Sequence, residues 1–339
     1  MKTLLLKADK QAVELASNLI KQGEIVAIPT ETVYGIAGNA YDDSAIEKIF
    51  KAKGRPQDNP LIVHISDMDM FYEVASSVPE DAVKLAKAFW PGPLTIVVPK
   101  GDKVAKSTCA GLDSVGVRMP SNTFAHDLIV SSGVPFAAPS ANISGKPSPT
   151  TAQAVFEDMD GRLPLIVDGG ESIAGVESTV VSVLEDKPIL LRPGYVTKEQ
   201  MEEVLGKEVI VSSAILESAK EGEKVRSPGM KYKHYAPKAD VTVLDGYFED
   251  FKKYVEEHME DGVYGMVFEG EDKLLSCPCV VLGKCSDEKE QAHNLFKVLR
   301  LLDELGAKKV YARCPKRDGV ALAVYNRLIR AAGFKLINV

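Results

Sequence analysis

The chain has 339 residues, 45% hydrophobic and 26% charged, the length and balance of a soluble two-domain protein in which each half can bury a core. Its net charge of −7 argues against a surface coated in cations for nucleic acid, although a local basic groove stays compatible with it. No stretch approaches the ~20 apolar residues of a membrane span, Met1-Lys2-Thr3-Leu4 begins no signal peptide, and five cysteines without a disulfide or zinc-knuckle spacing read as reduced thiols, so the expected compartment is the cytoplasm.

An amphipathic helix is predicted over about Lys10 to Gln22, followed by a strand at Ile25–Ile28. The next seven residues, Pro29-Thr30-Glu31-Thr32-Val33-Tyr34-Gly35, put two hydroxyls, a carboxylate and a phenol into one loop, with Gly35 expected to let the backbone turn sharply. That is more polar equipment than a connection needs, and such loops bind ligands in α/β proteins. Asp42-Asp43-Ser44 offers an N-cap for a helix through Ile46, Ile49 and Phe50 that stops at Gly54 and Pro56. Lys53 and Arg55 flank Gly54, a spacing expected to aim both cations at one polyanion.

Further strands are predicted at Leu61–Ile65, Leu94–Val98, Val115–Arg118, Val134–Ala138, Leu163–Val167, Thr179–Leu184 and Ile189–Leu191. Helices are expected around Pro79–Phe89, Thr123–Val130 and Thr151–Glu157. The pattern implies a mixed, twisted sheet with interleaved helices. Polar residues cluster at the strand ends: His64, Arg118, Ser140-Ala141-Asn142 with Ser148 beyond, Glu177-Ser178-Thr179, and Leu191-Arg192-Pro193-Gly194. Taken singly, His64 reads as a satisfied core histidine or a ligand, Arg118 as a surface ion pair or a carboxylate clamp, and Ser148 or Thr150 as a helix cap.

After about Gly206 the apolar periodicity lapses. A linker follows, ending in Ser227-Pro228-Gly229-Met230-Lys231-Tyr232-Lys233-His234-Tyr235, whose cations and aromatics suit a flap over an anionic ligand. Regular α/β patterning returns from Val241, with strands at Val241–Leu244, Gly262–Phe268, Cys279–Leu282 and Lys309–Ala312. Helices are read at Phe248–His258, Asp287–Leu305 and Val320–Ala332, a compact unit with a largely parallel sheet. Walker, GxGxxG, HExxH, GxSxG and EF-hand patterns are missing. Hydroxyls and cations without a triad or a metal-ligand set suggest phosphoryl or nucleotidyl transfer run by positioning and charge neutralisation.

Five segments in order, from Pro29–Gly35 through Lys53-Gly54-Arg55-Pro56, Ser140-Ala141-Asn142 and Leu191–Gly194 to Ser227–Tyr235, resemble the YrdC-like family of threonylcarbamoyl-adenylate synthases in its long form. The resemblance implies a YrdC-like twisted mixed-sheet catalytic domain over 1–206, a linker or lid over 207–238, and a smaller Rossmann-like α/β domain over 239–339. It implies a nucleotidyltransferase that converts L-threonine, bicarbonate (as CO2) and ATP, with Mg2+ accompanying the nucleotide, into threonylcarbamoyl-AMP and pyrophosphate. The product would feed a separate tRNA threonylcarbamoyltransferase machinery that modifies the adenosine next to the anticodon; weak tRNA binding belongs to the same picture. An RNA-binding module without adylate formation is the alternative, and carbamoyl transfer in hydrogenase maturation a further one. By the same resemblance the threonine pocket comprises Thr32, His64, Arg118, Ala138 and Ser178. ATP contacts are Arg55, Asn59, Ser114, Ser140, Ser148 and Arg192, catalytic pairs are Lys53 with Arg55 and Ser140 with Asn142, and Lys231, His234 and Tyr235 are lid contacts.

Overall fold

The computed structural model describes residues 2–215 and 235–339; Lys231, His234 and most of the basic, aromatic segment lie outside the described residues. The first unit is built on an eleven-stranded sheet. Its strands are β1 (Leu4–Lys7), β2 (Val26–Ile28), β3 (Gly35–Asn39), β4 (Ile62–His64), β5 (Leu94–Pro99), β6 (Ser114–Arg118), β7 (Phe136–Ala137), β8 (Leu165–Asp168), β9 (Thr179–Ser182), β10 (Ile189–Arg192) and β11 (Ile210–Val211). They lie in the order β1-β8-β2-β3-β7-β4-β6-β5-β9-β10-β11, with parallel and antiparallel pairs mixed.

Alternation along β2 shows how this sheet is covered. Val26 and Ile28 join a core with helices Lys10–Lys21 and Thr123–Ser132, whereas Ile25 and Ala27 face the larger core on the other side. Successive strand side chains point to opposite faces, so a two-sided apolar run is what a sheet packed on both faces requires. Asp42 caps the helix Asp43–Lys53 by accepting from the Ser44 N–H at 2.9 Å, and Gly54 ends it in the left-handed conformation at φ 59°.

One expectation changes here. The polar loop after β2 leads into a paired strand, and Gly35, expected to turn the backbone sharply, opens β3 in register with Ile28 without a positive φ. A Cβ added at Gly35 would meet the Pro139 carbonyl at 3.4 Å, an ordinary van der Waals contact. In addition, β1, β3, β11 and the helices Met68–Val74 and Lys198–Leu205 had no sequence counterpart, and β11 carries the first sheet past residue 206.

The second unit holds five parallel strands, β12 (Asp240–Asp245), β13 (Val263–Phe268), β14 (Cys279–Gly283), β15 (Lys309–Arg313) and β16 (Leu336–Asn338), in the order β14-β13-β15-β12-β16. Helices Phe248–Glu257, Glu288–Glu304 and Ala321–Ala331 connect them. Only β16 escaped the sequence reading. Among the described residues no helix is long and apolar enough to cross a membrane.

Candidate active site

The central strands of the first sheet are short, and that builds the site. Strand β4 has three residues and β7 two, paired antiparallel with Val63 opposite Ala137. At ~3.3 Å per residue the two ends of such strands lie about 10 Å apart, so groups from opposite ends reach one cavity. Parallel pairing of β4 with β6 sets His64 beside Arg118, and a bridge between Gly35 and Ser140 brings the loop after β7 against the loop after β2.

The resulting cleft offers about 580 Å³ of empty space, counted out into the solvent at its mouth. It is lined by Thr32, Arg55, His64, Arg118, Ala138, Ser140, Ser178, Arg192 and Tyr235 of the sequence-predicted set, together with Thr30, Tyr34 and Glu177. Five other predicted residues stand elsewhere. Lys53, Asn59, Asn142 and Ser148 are buried behind the wall, and Ser114 lines a smaller neighbouring depression that shares Leu61 and Ile62.

The Lys53 ammonium does not face the cavity. It donates to the carbonyls of Ser140 and, at 2.8 Å, Asn142, and burial drives its pKa well below the usual lysine range. Of the two cations flanking Gly54, Arg55 alone faces the cavity, its guanidinium donating to the Asn59 carbonyl at 3.4 Å. Asn142 braces the same loop as Lys53, its amide donating to the carbonyls of Ile143 and Lys146 at 2.9 Å each. These two residues shape the Ser140 loop from behind.

Arg118 is no surface group. Its side chain is 4% exposed and lies 2.7 Å from the Glu31 carboxylate, while another guanidinium N–H donates to Thr32 Oγ1 at 2.8 Å. Burial would raise the Glu31 pKa, but the Arg118 charge beside it outweighs that and holds the carboxyl below its ordinary value. Thr30 spends its proton on the Val33 carbonyl at 2.6 Å, so across the 2.9 Å contact between the two hydroxyls Thr32 is the donor. Thr32 Oγ1 is thereby fixed as acceptor for Arg118.

His64 Nδ1 lies 3.3 Å from the Ile62 carbonyl, which can only accept, so the proton sits on Nδ1 and Nε2 keeps its lone pair. Burial, reinforced by the Arg118 cation, pushes its pKa down to about 3. Across the cavity Arg192 donates from Nε to the Ser178 carbonyl at 3.0 Å and from its fork to Ser178 Oγ at 3.2 Å. Burial pulls its pKa to about 10, which leaves it charged at neutral pH. Ser148 caps no helix: Thr151 is the cap of Ala152–Met159, and the Ser148 hydroxyl donates to Glu177 at 2.6 Å.

Two carboxylates were missed as site residues. Glu31 was counted among the polar groups of the Pro29–Gly35 loop and Glu177 among the strand-end residues, and that position was the available signal, but neither was given a role. Tyr34 was also passed over; its hydroxyl donates to the Gly170 carbonyl at 2.6 Å and accepts from the Gly169 N–H, holding the Gly169-Gly170 turn against the cavity. Tyr235, at the start of the described second segment, is buried and packs on Phe296 at 5.1 Å between ring centres. Its backbone is left-handed at φ 65°, a costly conformation for an aromatic residue.

Fold and cavity define a class: a mixed α/β protein with a pocket of arginines and hydroxyls, suited to a small anionic substrate. Residues 18–194 match the model of the Sua5, YciO and YrdC proteins, described as "Telomere recombination", and residues 196–333 match "Threonylcarbamoyl-AMP synthase, C-terminal domain". The chain belongs to this family, in its two-domain form. The Pyrococcus abyssi protein named threonylcarbamoyl-AMP synthase is 43% identical over 341 residues, covering 98% of this chain and 97% of the relative. A Bacillus subtilis protein of the same name is 44% identical over 332 residues, covering 95% and 93%. The crystal structure of P. abyssi Sua5 complexed with L-threonine matches with a TM-score of 0.93 at 42% identity, covering 99% of this chain and 100% of that one.

Proposed function

We propose that this protein is a threonylcarbamoyl-AMP synthase, an enzyme that joins L-threonine, bicarbonate and ATP and releases pyrophosphate. The observation that carries the reading is one cavity lined by Arg118, His64 and Thr32 together with Arg55, Ser140 and Arg192, in a chain 43% identical over nearly its whole length to a synthase of that name.

Arg118 takes the threonine carboxylate, exchanging it for Glu31. The neutral His64 Nε2 and the Ser178 hydroxyl meet the substrate's own hydroxyl, and an analogue without that group leaves them unpaired. The threonine amine, once neutral, adds to CO2 drawn from bicarbonate. A carbamate oxygen then forms a bond to the α-phosphorus of ATP as the bond to the bridging oxygen breaks, and pyrophosphate leaves. Arg55 and Arg192 neutralise the charge that gathers on the phosphates. Lys53 and Asn142 act by holding the Ser140 loop. Mg2+ enters with ATP, since Glu177, which lines the cavity, and Glu31, which pairs with the cavity's Arg118, are already matched to arginines.

We assign the catalytic domain to 1–206 extended through β11 to Ile215, which belong to its sheet and core, a linker that closes the cavity to the residues from there to 238, and the second domain to 239–339. Excluding water protects the carbamate and the mixed anhydride. The enzyme works in the cytoplasm and passes its product to a tRNA threonylcarbamoyltransferase. Purified protein given labelled bicarbonate, ATP and each amino acid should form a labelled adenylate with threonine alone. Salt-sensitive tRNA binding without threonine-dependent ATP consumption would overturn this in favour of an RNA-binding module.

A further inference from the structure

The second domain carries three buried polar side chains on one face of a single helix, Asn326, Arg327 and Arg330 of Ala321–Ala331. All three reach the first domain. Asn326 donates to the Ile215 carbonyl at 2.8 Å and Arg330 to the Ala214 carbonyl at 2.6 Å. Arg327, fully buried, donates from Nε to the Glu177 carboxylate at 3.1 Å and from its fork to the backbone carbonyls of Glu177, at 3.4 Å, and Pro193.

Those partners bracket the cavity. Glu177 precedes Ser178 and Pro193 follows Arg192, so one guanidinium ties together both strands whose ends meet in the Arg192–Ser178 contact. Glu177 also lines the cavity and accepts the Ser148 proton. If this helix served docking alone, apolar side chains would do so at lower desolvation cost than a buried arginine. A carboxylate lining a polyphosphate site, left uncompensated, would repel its ligand.

We propose that Arg327, supplied by the second domain, is a positioning residue of the first domain's nucleotide site: it cancels the Glu177 charge and fixes the Arg192–Ser178 wall against which the phosphates of ATP bind. This rests on the synthase reading and assigns to the second domain a share in nucleotide binding. The ionisable groups facing Glu177 are Arg327 from the helix, Arg192 from β10, Lys53 from behind the loop and Tyr235 from the linker end.

The test uses full-length protein carrying Arg327→Met, Glu177→Gln or both, with ATP affinity measured by calorimetry at pH 6 and pH 8.5 and adenylate formation followed alongside. Arg327→Met should weaken ATP binding at least tenfold at about pH 8.5 and less at about pH 6, where the orphaned carboxyl takes up a proton. The double variant should return to within about threefold of Glu177→Gln and lose the pH dependence. Equal weakening at both pH values, no relief by Glu177→Gln, or unchanged ATP affinity would each overturn the proposal. If Arg327→Met alone has no cooperative melt, recovery of the melt in the double variant supports the charge-cancelling role and its absence refutes it. Wild-type protein that binds ATP but makes no threonine adenylate sinks the synthase reading and leaves this test readable; wild-type protein that binds no ATP sinks both.

Discussion

The two domains handle buried polarity in opposite ways. In the first it is spread throughout: Thr30, Thr32, Lys53, His64, Arg118, Asn142, Ser148, Glu177, Ser178 and Arg192 are all buried around the cavity. In the second, the described buried polar residues are Thr242, Gln291, Asn326, Arg327 and Arg330, the last three on the helix that faces the first domain. One domain holds internal charges to make a site, while the other is a regular apolar scaffold whose few internal charges point outward at its neighbour. Regularity alone does not mark a passive domain, because a single buried arginine can serve a pocket in another.

The contrast can be broken at its strongest point first. Arg118→Met removes the cation that takes the threonine carboxylate, so threonine-dependent pyrophosphate release should fall about a hundredfold, and with Glu31 left buried without its cation unfolding in denaturant should show about 3–5 kcal/mol lost. Near-normal release would mean that the first domain's internal charges are structural only. Arg55→Ala removes a charge-assisted contact worth about 1.5–3 kcal/mol and should cut turnover roughly ten- to hundredfold, read in the same assay.

Lys53→Met tests a charge that acts from behind the wall. Two loop carbonyls lose their donor, and unfolding in denaturant should show about 2–4 kcal/mol lost. A variant with unchanged stability and no activity would instead place the ammonium on substrate. The pH dependence follows from His64, whose folded value is about 3. The unfolded imidazole binds a proton below about pH 6.5 and the folded one does not, so this contribution to stability is complete above that pH. It is lost progressively as pH falls toward 3, and His64→Gln should flatten the melting temperature across that window.

The smallest effect belongs to the interface. Arg300 donates to the Pro147 carbonyl and to the buried Asp158 carboxylate, both at 2.7 Å, but Asp158 keeps Lys146 at 2.8 Å. Arg300→Ala should therefore cost only about 1–2 kcal/mol of stability. A larger loss of activity than of stability would show that this second arginine also tunes the site.

Elements defined by neighbours in sequence were legible. Asp42 caps its helix, Gly54 ends it, and four of the five strands of the second domain coincide closely with their apolar runs. Strand β3 was not legible, because Gly35-Ile36-Ala37-Gly38-Asn39 carries little β propensity and owes its conformation to pairing with β2 and β7. The site divided along the same line. The segments bearing Thr32, Arg55, Ser140 and Arg192 were visible as polar clusters, but nothing local distinguished Arg55, which faces the cavity, from Lys53, which turns into the loop behind it.

Residue order and type determined where the chain pairs or coils, which segments carry hydroxyls and charges, and which family it resembles, because caps, alternation and motifs are properties of adjacent residues. Only the tertiary structure decided which charge meets which. The partners of Arg118 and Arg327 lie 87 and 150 positions away in sequence, and whether a buried charge binds substrate, braces a loop or neutralises a neighbour depends on packing that no local pattern encodes.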